Sequence, residues 1–213
     1  MCRLWNHLLD LGDERIPKIV FHHELMQKAS WGANMLSIFN QINESEIFDK
    51  KQIIPSIFNI EKKLLENHEK TFLDSLPNKS KLRNYALHKF SFKAEPYVKK
   101  YFSRNKRSLF AQIRCGILPL KIETGRFQNT PLAQRTCDYC PEKGIEDEYH
   151  YIFKCSFYNE LRAHFLEKCN NIDHEFETMD EIEKFRFFLS NEDITNEAVN
   201  YVFAAFSKRK WTK

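Results

Sequence analysis

The sequence predicts a mainly α-helical fold with little or no β-structure, built around a small knuckle and an irregular loop. Three observations carry that reading. Nineteen Phe against five Gly favour helices packed through aromatic rings over turn-rich β architecture. Apolar residues recur at helical spacing along most of the 213-residue chain, which is long enough to bury a sizeable core. Finally, Cys137-x2-Cys140-x9-His150-x4-Cys155 gathers four soft ligands in a short segment, spacing that suits one tetrahedral, structural Zn²⁺.

Taken in order, Trp31, Met35, Ile38 and Ile42 make one amphipathic face, with Phe39 alongside and Ser30 as N-cap. Pro55 breaks the chain, and Ile60 to Leu73 reads as a second helix through Leu64, Leu65, Phe72 and Leu73. Leu76-Pro77-Asn78 is a turn signal. It divides the chain into a helical linker region, 1–76, and a second region, 77–213, holding basic helices, the knuckle and the C-terminal helices. Lys81 to Phe90 predicts a short helix ending before Pro96. Arg104 to Cys115 is the clearest basic helix, with Gly116 placed to end it. Arg104, Arg107 and Arg114 share one side, and Leu109 and Ile113 face the core opposite. Gly116 to Thr136, with Pro119, Gly125 and Pro131, reads as an ordered loop leading into the knuckle. Ser156 is placed to cap a helix from about Phe157 to Cys169. Thr178-x-x-Glu181 reads as a capping box for a helix that buries Ile182, Phe185 and Leu189. Thr195 opens a last helix with a stripe of Val199, Val202, Phe203 and Phe206, and Lys208-Arg209-Lys210 offsets its C-terminal dipole.

Two pairs share the His-x4-Cys spacing, and helix geometry separates them. Residues five apart on an unbroken α-helix differ by roughly 140° and diverge, as His164 and Cys169 should within one continuous helix. His150 and Cys155 can converge because the chain turns before Ser156, and Asp147 can cap a short turn that presents His150. Cys2, Cys115 and Cys169 are isolated and predict no disulfide framework. With all four metal positions filled by protein, no coordination site remains for water or substrate, and no acid–base constellation points to a reaction. His22-His23-Glu24 has no partner ligands nearby and reads as surface.

The net charge of +4 hides a segregation. Residues 76–136 carry 14 Lys/Arg and 2 Asp/Glu, a local +12, whereas residues 137–197 carry 6 and 16, a local −10. The basic block is the expected polyanion-binding surface, with Lys99, Lys100, Arg104, Lys106, Arg107, Arg114 and Arg126 as candidate nucleic-acid contacts. Its interleaved aromatics, Tyr85, Phe90, Phe92, Tyr97, Tyr101, Phe102, Phe110 and Phe127, suit either base stacking or core packing, with helical spacing favouring the core. The acidic segment reads as a solvated face that can also dock on the basic block. No signal-peptide pattern or membrane-length apolar run is present. The expectation is an intracellular protein, nuclear or cytoplasmic, with no small-molecule substrate.

The segment from about Arg104 to Arg162, RSLFAQIRCGILPLKIETGRF…RTCDYCPEKGIEDEYHYIFKCSFYNELR, resembles the region after the polymerase in non-LTR (LINE-type) retrotransposon reverse transcriptases. In that family a CCHC zinc knuckle carries an acidic pair before its His, then Cys and Arg. Glu146-Asp147, His150, Cys155 and Arg162 follow that order, and Gly116, Pro119, Glu123 and Gly125-Arg126 match the lead-in. Leu4-Trp5-Asn6 and the Trp31 helix look like the preceding linker. No Tyr-x-Asp-Asp type motif is present, and no endonuclease domain would fit. The resemblance therefore implies an accessory module, a fragment or descendant of an element's reading frame, that binds RNA or DNA without catalysis. A zinc-stapled adaptor for a protein partner and an inert relic are the alternatives.

Overall fold

The computed structural model describes residues 1–210, without the Lys210 side chain. The fold is mainly helical, as the apolar periodicity predicts. Among the described residues β-structure amounts to one isolated bridge, Thr136 with Ile145. The chain divides into two compact units, Met1–Phe72 and Leu73–Lys213.

The first unit holds α1 (Cys2–Asp10), α2 (Ile16–Met26), α3 (Trp31–Gln41), α4 (Ser45–Asp49) and most of α5 (Ile57–Ser75). Ser30 caps α3, accepting from the Ala33 amide at 3.2 Å. Trp5 is wholly buried and lies among the rings of Phe21, Trp31, Phe39 and Phe48. Its indole N–H donates to the Gln52 carbonyl at 2.8 Å, so the one polar atom of a buried ring is satisfied. Next to it, Asn6 brackets the returning chain. Its amide donates to the Ile54 carbonyl at 2.9 Å, and its oxygen accepts from the Ile54 amide at 2.7 Å. Ile60 and Leu64 bring α5 onto this core.

The second unit holds 3₁₀ turns at Leu76–Asn78 and Ser80–Leu82, α6 (Tyr85–His88), a 3₁₀ turn at Pro96–Lys99, and α7 (Arg104–Cys115). The helix expected over 81–90 is thus reduced to its two ends, with a break at Arg83-Asn84. Gly116 ends α7 with φ +79°, a conformation that suits glycine because no Cβ is present. Next comes α8 (Lys121–Phe127), inside a segment expected to be loop. Gly125 reads as a breaker in sequence, yet here it lies within the helix, where the Arg135 side chain packs too close to admit a Cβ.

Beyond the knuckle come α9 (Asn159–Ile172), α10 (Glu181–Ser190) and α11 (Thr195–Lys210). Ser156 does not cap α9. It sits in a 3₁₀ turn, Ser156–Tyr158, and its hydroxyl donates to Glu142 at 2.9 Å. The capping box of α10 is Asp180 with Glu183, two residues after the pair expected. Thr178 instead donates its hydroxyl to the Glu175 carbonyl in the preceding turn. Phe185 and Leu189 are buried as expected, but Ile182 is exposed. In α11, Val199 and Val202 are fully buried, and Phe203 and Phe206 are half-buried. This helix packs on α7, α9 and α10, so the core of the unit gathers round it. No helix among the described residues is long and apolar enough to cross a membrane.

Candidate metal centre

Four buried side chains, Cys137, Cys140, His150 and Cys155, bring one donor atom each to within 4.8 Å of one another. Such a group can hold a metal ion. The local backbone builds it in three pieces. Thr136 and Ile145 pair across the base of the first piece, with the Cys137 amide donating to Gly144 O at 2.8 Å and the Glu146 amide to Arg135 O at 2.8 Å. This closes a tight loop that carries both Cys137 and Cys140. The Tyr139 amide points at Cys137 Sγ, 3.4 Å away, a donor suited to a sulfur that becomes anionic on binding metal.

The second piece presents His150. Asp147 caps the turn as the sequence predicts, its carboxylate accepting from the His150 amide at 2.7 Å. The third carries Cys155, and here the route differs from the break expected near Ser156. Residues His150–Lys154 form a π-helical turn, closed by the Cys155 amide donating to His150 O at 2.7 Å. A π-turn closes its hydrogen bond over five residues rather than four. Residues five apart therefore return to nearly the same side, where an α-helix would splay them. His164 and Cys169 show the contrast within α9: Cys169 is buried and His164 is exposed.

Around the ligands lies a shell of buried charge. Glu146 accepts from the Lys121 amide at 2.9 Å and from both terminal nitrogens of Arg209, at 2.8 and 3.4 Å. Arg209 also lies over the Tyr139 and Tyr151 rings, at 4.6 and 5.9 Å. Arg162 donates to the Ile152 and Cys155 carbonyls, at 2.7 and 2.5 Å, bracing the end of the π-turn. Arg83 pairs with Glu148 at 2.5 Å and Glu123 at 3.3 Å. Glu146 and Arg162 stand out in the sequence only through the family resemblance, and Arg83 gives no signal, since its partners lie 40 and 65 residues away. For Arg209 the sequence suggests only a cation offsetting the helix dipole. Burial pushes the Cys140 and Cys155 thiols up and the His150 imidazole down, so without an ion these three side chains favour their neutral forms.

The basic candidates separate by environment. Lys99, Arg104 and Arg107 are exposed. Lys100 donates to Glu192 O at 2.8 Å and Lys106 to Asn200 Oδ1 at 2.7 Å, pinning them to the start of α11 and the loop before it. Arg126 is half-exposed and pairs with Glu123 at 3.0 Å. Arg114 corrects the expectation that it shares an open face with Arg107. It is buried, paired with Glu95, and packed over the Tyr97 and Phe110 rings at 5.1 and 5.7 Å. Helical phase does place it on the side of Arg107, but the chain around Glu95 and Tyr97 covers that end of α7. Glu95 serves Lys89 as well, at 2.6 Å. Among the interleaved aromatics Phe110 is buried, whereas Phe90, Phe92, Tyr101 and Phe127 are exposed.

Scans against protein-family models, curated proteins and solved structures each gave no match to this chain.

Proposed function

We propose that this protein is a zinc-stapled, non-catalytic helical module that binds RNA or DNA through the basic surface of its second unit. One observation carries the zinc assignment. Cys137 Sγ and Cys155 Sγ are 3.8 Å apart, and Cys140 Sγ and His150 Nε2 are 3.4 Å apart. A tetrahedron with Zn–S of about 2.3 Å and Zn–N of about 2.0–2.1 Å has S···S edges of ~3.8 Å and S···N edges of ~3.5 Å. Those two edges match zinc-ligand spacing, and four protein ligands favour a structural ion over a catalytic one. The ion's binding free energy would then contribute to folding.

The nucleic-acid reading draws on exposed Lys99, Arg104 and Arg107, with Lys79, Lys81 and Lys93 also exposed in the same block. Lys100, Lys106 and Arg126 give secondary support, and buried Arg114 is withdrawn from the contact set. The resemblance to the post-polymerase region of non-LTR reverse transcriptases points the same way.

Metal analysis of the purified chain tests the first half. One zinc per chain is expected, lost in Cys137→Ser and Cys140→Ser and kept in Cys169→Ser. Equal loss in the Cys169 variant would sink the ligand set. Binding to RNA and DNA oligonucleotides across a salt series tests the second half. The log–log slope should be about −0.7 to −0.9 per phosphate contact, and Arg104→Glu with Arg107→Glu should weaken binding. Salt-independent binding, or binding that survives both reversals, rejects this surface. A protein-interaction adaptor is the second reading, favoured by exposed Ile16, Ile19 and Val20 along α2. Co-elution with a protein, without retention on heparin, would support it.

A further inference from the structure

Tyr101 lies in the short connection between the Pro96–Lys99 turn and α7, and its side chain is fully exposed, at 105%. Its neighbours Tyr97 and Phe102 pack on the core, so the connection is ordered on both sides of a ring left in water. Exposed Lys99, Arg104 and Arg107 surround it in sequence. Ser103 caps α7, accepting from the Lys106 amide at 3.4 Å, which fixes the start of that helix.

A cleft of about 540 Å³ adjoins this connection, lined among others by His88, Phe90, Ser91, Lys93, Lys99 and Glu192. Its volume falls within the ~300–1,000 Å³ range of small-ligand sites and admits a nucleotide. Phe90 is 70% exposed, with the Arg186 guanidinium 6.0 Å from its ring centre. The wall is cationic on balance, with Lys89, Lys93 and Lys99 against Glu95 and Glu192, and Glu95 is already paired with Lys89 and Arg114. His88 also lines that wall. Its Nδ1 faces the Asn84 carbonyl at 2.9 Å and so carries the proton, leaving Nε2 buried with a lone pair and no protein partner. Lys99 on the cleft and Tyr101 are two residues apart, at most about 7 Å along the backbone.

We propose that this surface takes single-stranded nucleic acid in preference to duplex, one base stacking on Tyr101 and the adjoining nucleotide entering the cleft against Phe90. Lys93, Lys99 and Arg104 meet the phosphates between them. The inference rests on the nucleic-acid reading above and adds the class of strand. Exposed rings interleaved with cations bind unstacked bases, whose π-faces are free, whereas a duplex keeps those faces covered.

The test uses the zinc-loaded full chain and 12-nucleotide RNA and DNA strands carrying 2-aminopurine, alone and annealed to their complements. Expected is tighter binding of the single strands by on the order of tenfold or more, with quenching of 2-aminopurine. Tyr101→Ala should weaken single-strand binding by about 5- to 150-fold, and Phe90→Ala should also weaken it. Tyr101→Phe, which keeps the ring face, should bind like the unaltered chain. The salt slope should stay unchanged in these variants, because no phosphate contact is lost. Both rings are exposed, so folding is preserved. Duplex bound as tightly as single strand, or Tyr101→Ala within twofold of the unaltered chain, overturns this inference while the broader reading stands. Failure to bind either form at low salt overturns both.

Discussion

The two units solve the same problem, holding a small helical body together, by different chemistry. Met1–Phe72 is built on rings, with Trp5 at the centre and its single polar atom satisfied by Gln52. Among the described residues the Cys/His cluster lies wholly in Leu73–Lys213, where the buried carboxylates Glu146 and Glu148 pair with the partly buried Arg209 and Arg83. An aromatic core tolerates some change of shape and needs no partner from solution. A ligand cluster wrapped in buried charge is conditional: each charge must keep its counter-charge, and the thiols must lose protons to a metal. The first unit should therefore be indifferent to metal and the second dependent on it.

Zinc removal should give the largest effect. Structural zinc contributes about 10–16 kcal/mol in zinc-finger peptides, comparable with the whole ~5–15 kcal/mol stability of a domain. Chelation should unfold the second unit, followed by loss of amide-exchange protection in α7, α9 and α11, and leave protection in α1 to α3 intact. Loss in both units together would erase the contrast. Next in size is Trp5→Ala, expected to cost about 3–5 kcal/mol in the first unit with zinc stoichiometry unchanged. Urea unfolding beside metal analysis checks both parts.

Within the second unit, Arg114→Ala leaves Glu95 with Lys89 as its one cation and removes the guanidinium packed over Tyr97 and Phe110, and should destabilise by about 1–3 kcal/mol. Arg107→Ala, at an exposed site, should stay within about 0.5 kcal/mol. Denaturant midpoints for the two variants would show whether helical phase or covering chain decides an arginine's role. The remaining effect depends on pH and vanishes near neutrality. Burial pulls the His88 imidazole down to about 4 from its ordinary value of 6.5. Between those values the unfolded chain binds a proton that the folded chain refuses, so stability rises with pH. His88 costs nothing above about pH 6.5 and up to about 2–3 kcal/mol near pH 4. With zinc saturating, His88→Gln should flatten the stability profile between pH 4 and 6.5 relative to the unaltered chain. Parallel profiles would show that His88 is not held neutral.

What was legible in the sequence was local. Ser30 and Gly116 bound helices through rules that act within four residues, and the Cys/His cluster announced itself by spacing. Asp147 was legible as a cap for the same reason. What escaped depended on distant chain. Arg114 has the right phase for an open face, but nothing near it in sequence says that Glu95 and Tyr97 fold over it. Thr178 and Asp180 both stand three residues before a Glu, and only the competing bond from Thr178 to Glu175 decides between them. Gly125 and Pro119 looked like loop because an isolated seven-residue helix is weak; here tertiary contacts, including Arg135 packed on Gly125, support it. The π-turn was invisible because a one-residue widening leaves the His-x4-Cys spacing unchanged.

The pairing of Glu146 with Arg209 also sets an order of events as the chain is made. All four ligands have emerged by Cys155, and they span so few residues that loop closure is cheap. Arg209 follows 54 positions later, a delay of about 3–11 s at ~5–20 residues per second. Through that interval the cluster stands without its Arg209 clamp, Glu146 lacks its counter-charge and Tyr151 lacks its cover. Vectorial synthesis thus completes the Cys/His cluster before the last helix can dock, so any metal ion it takes up would have the chance to bind ahead of that docking.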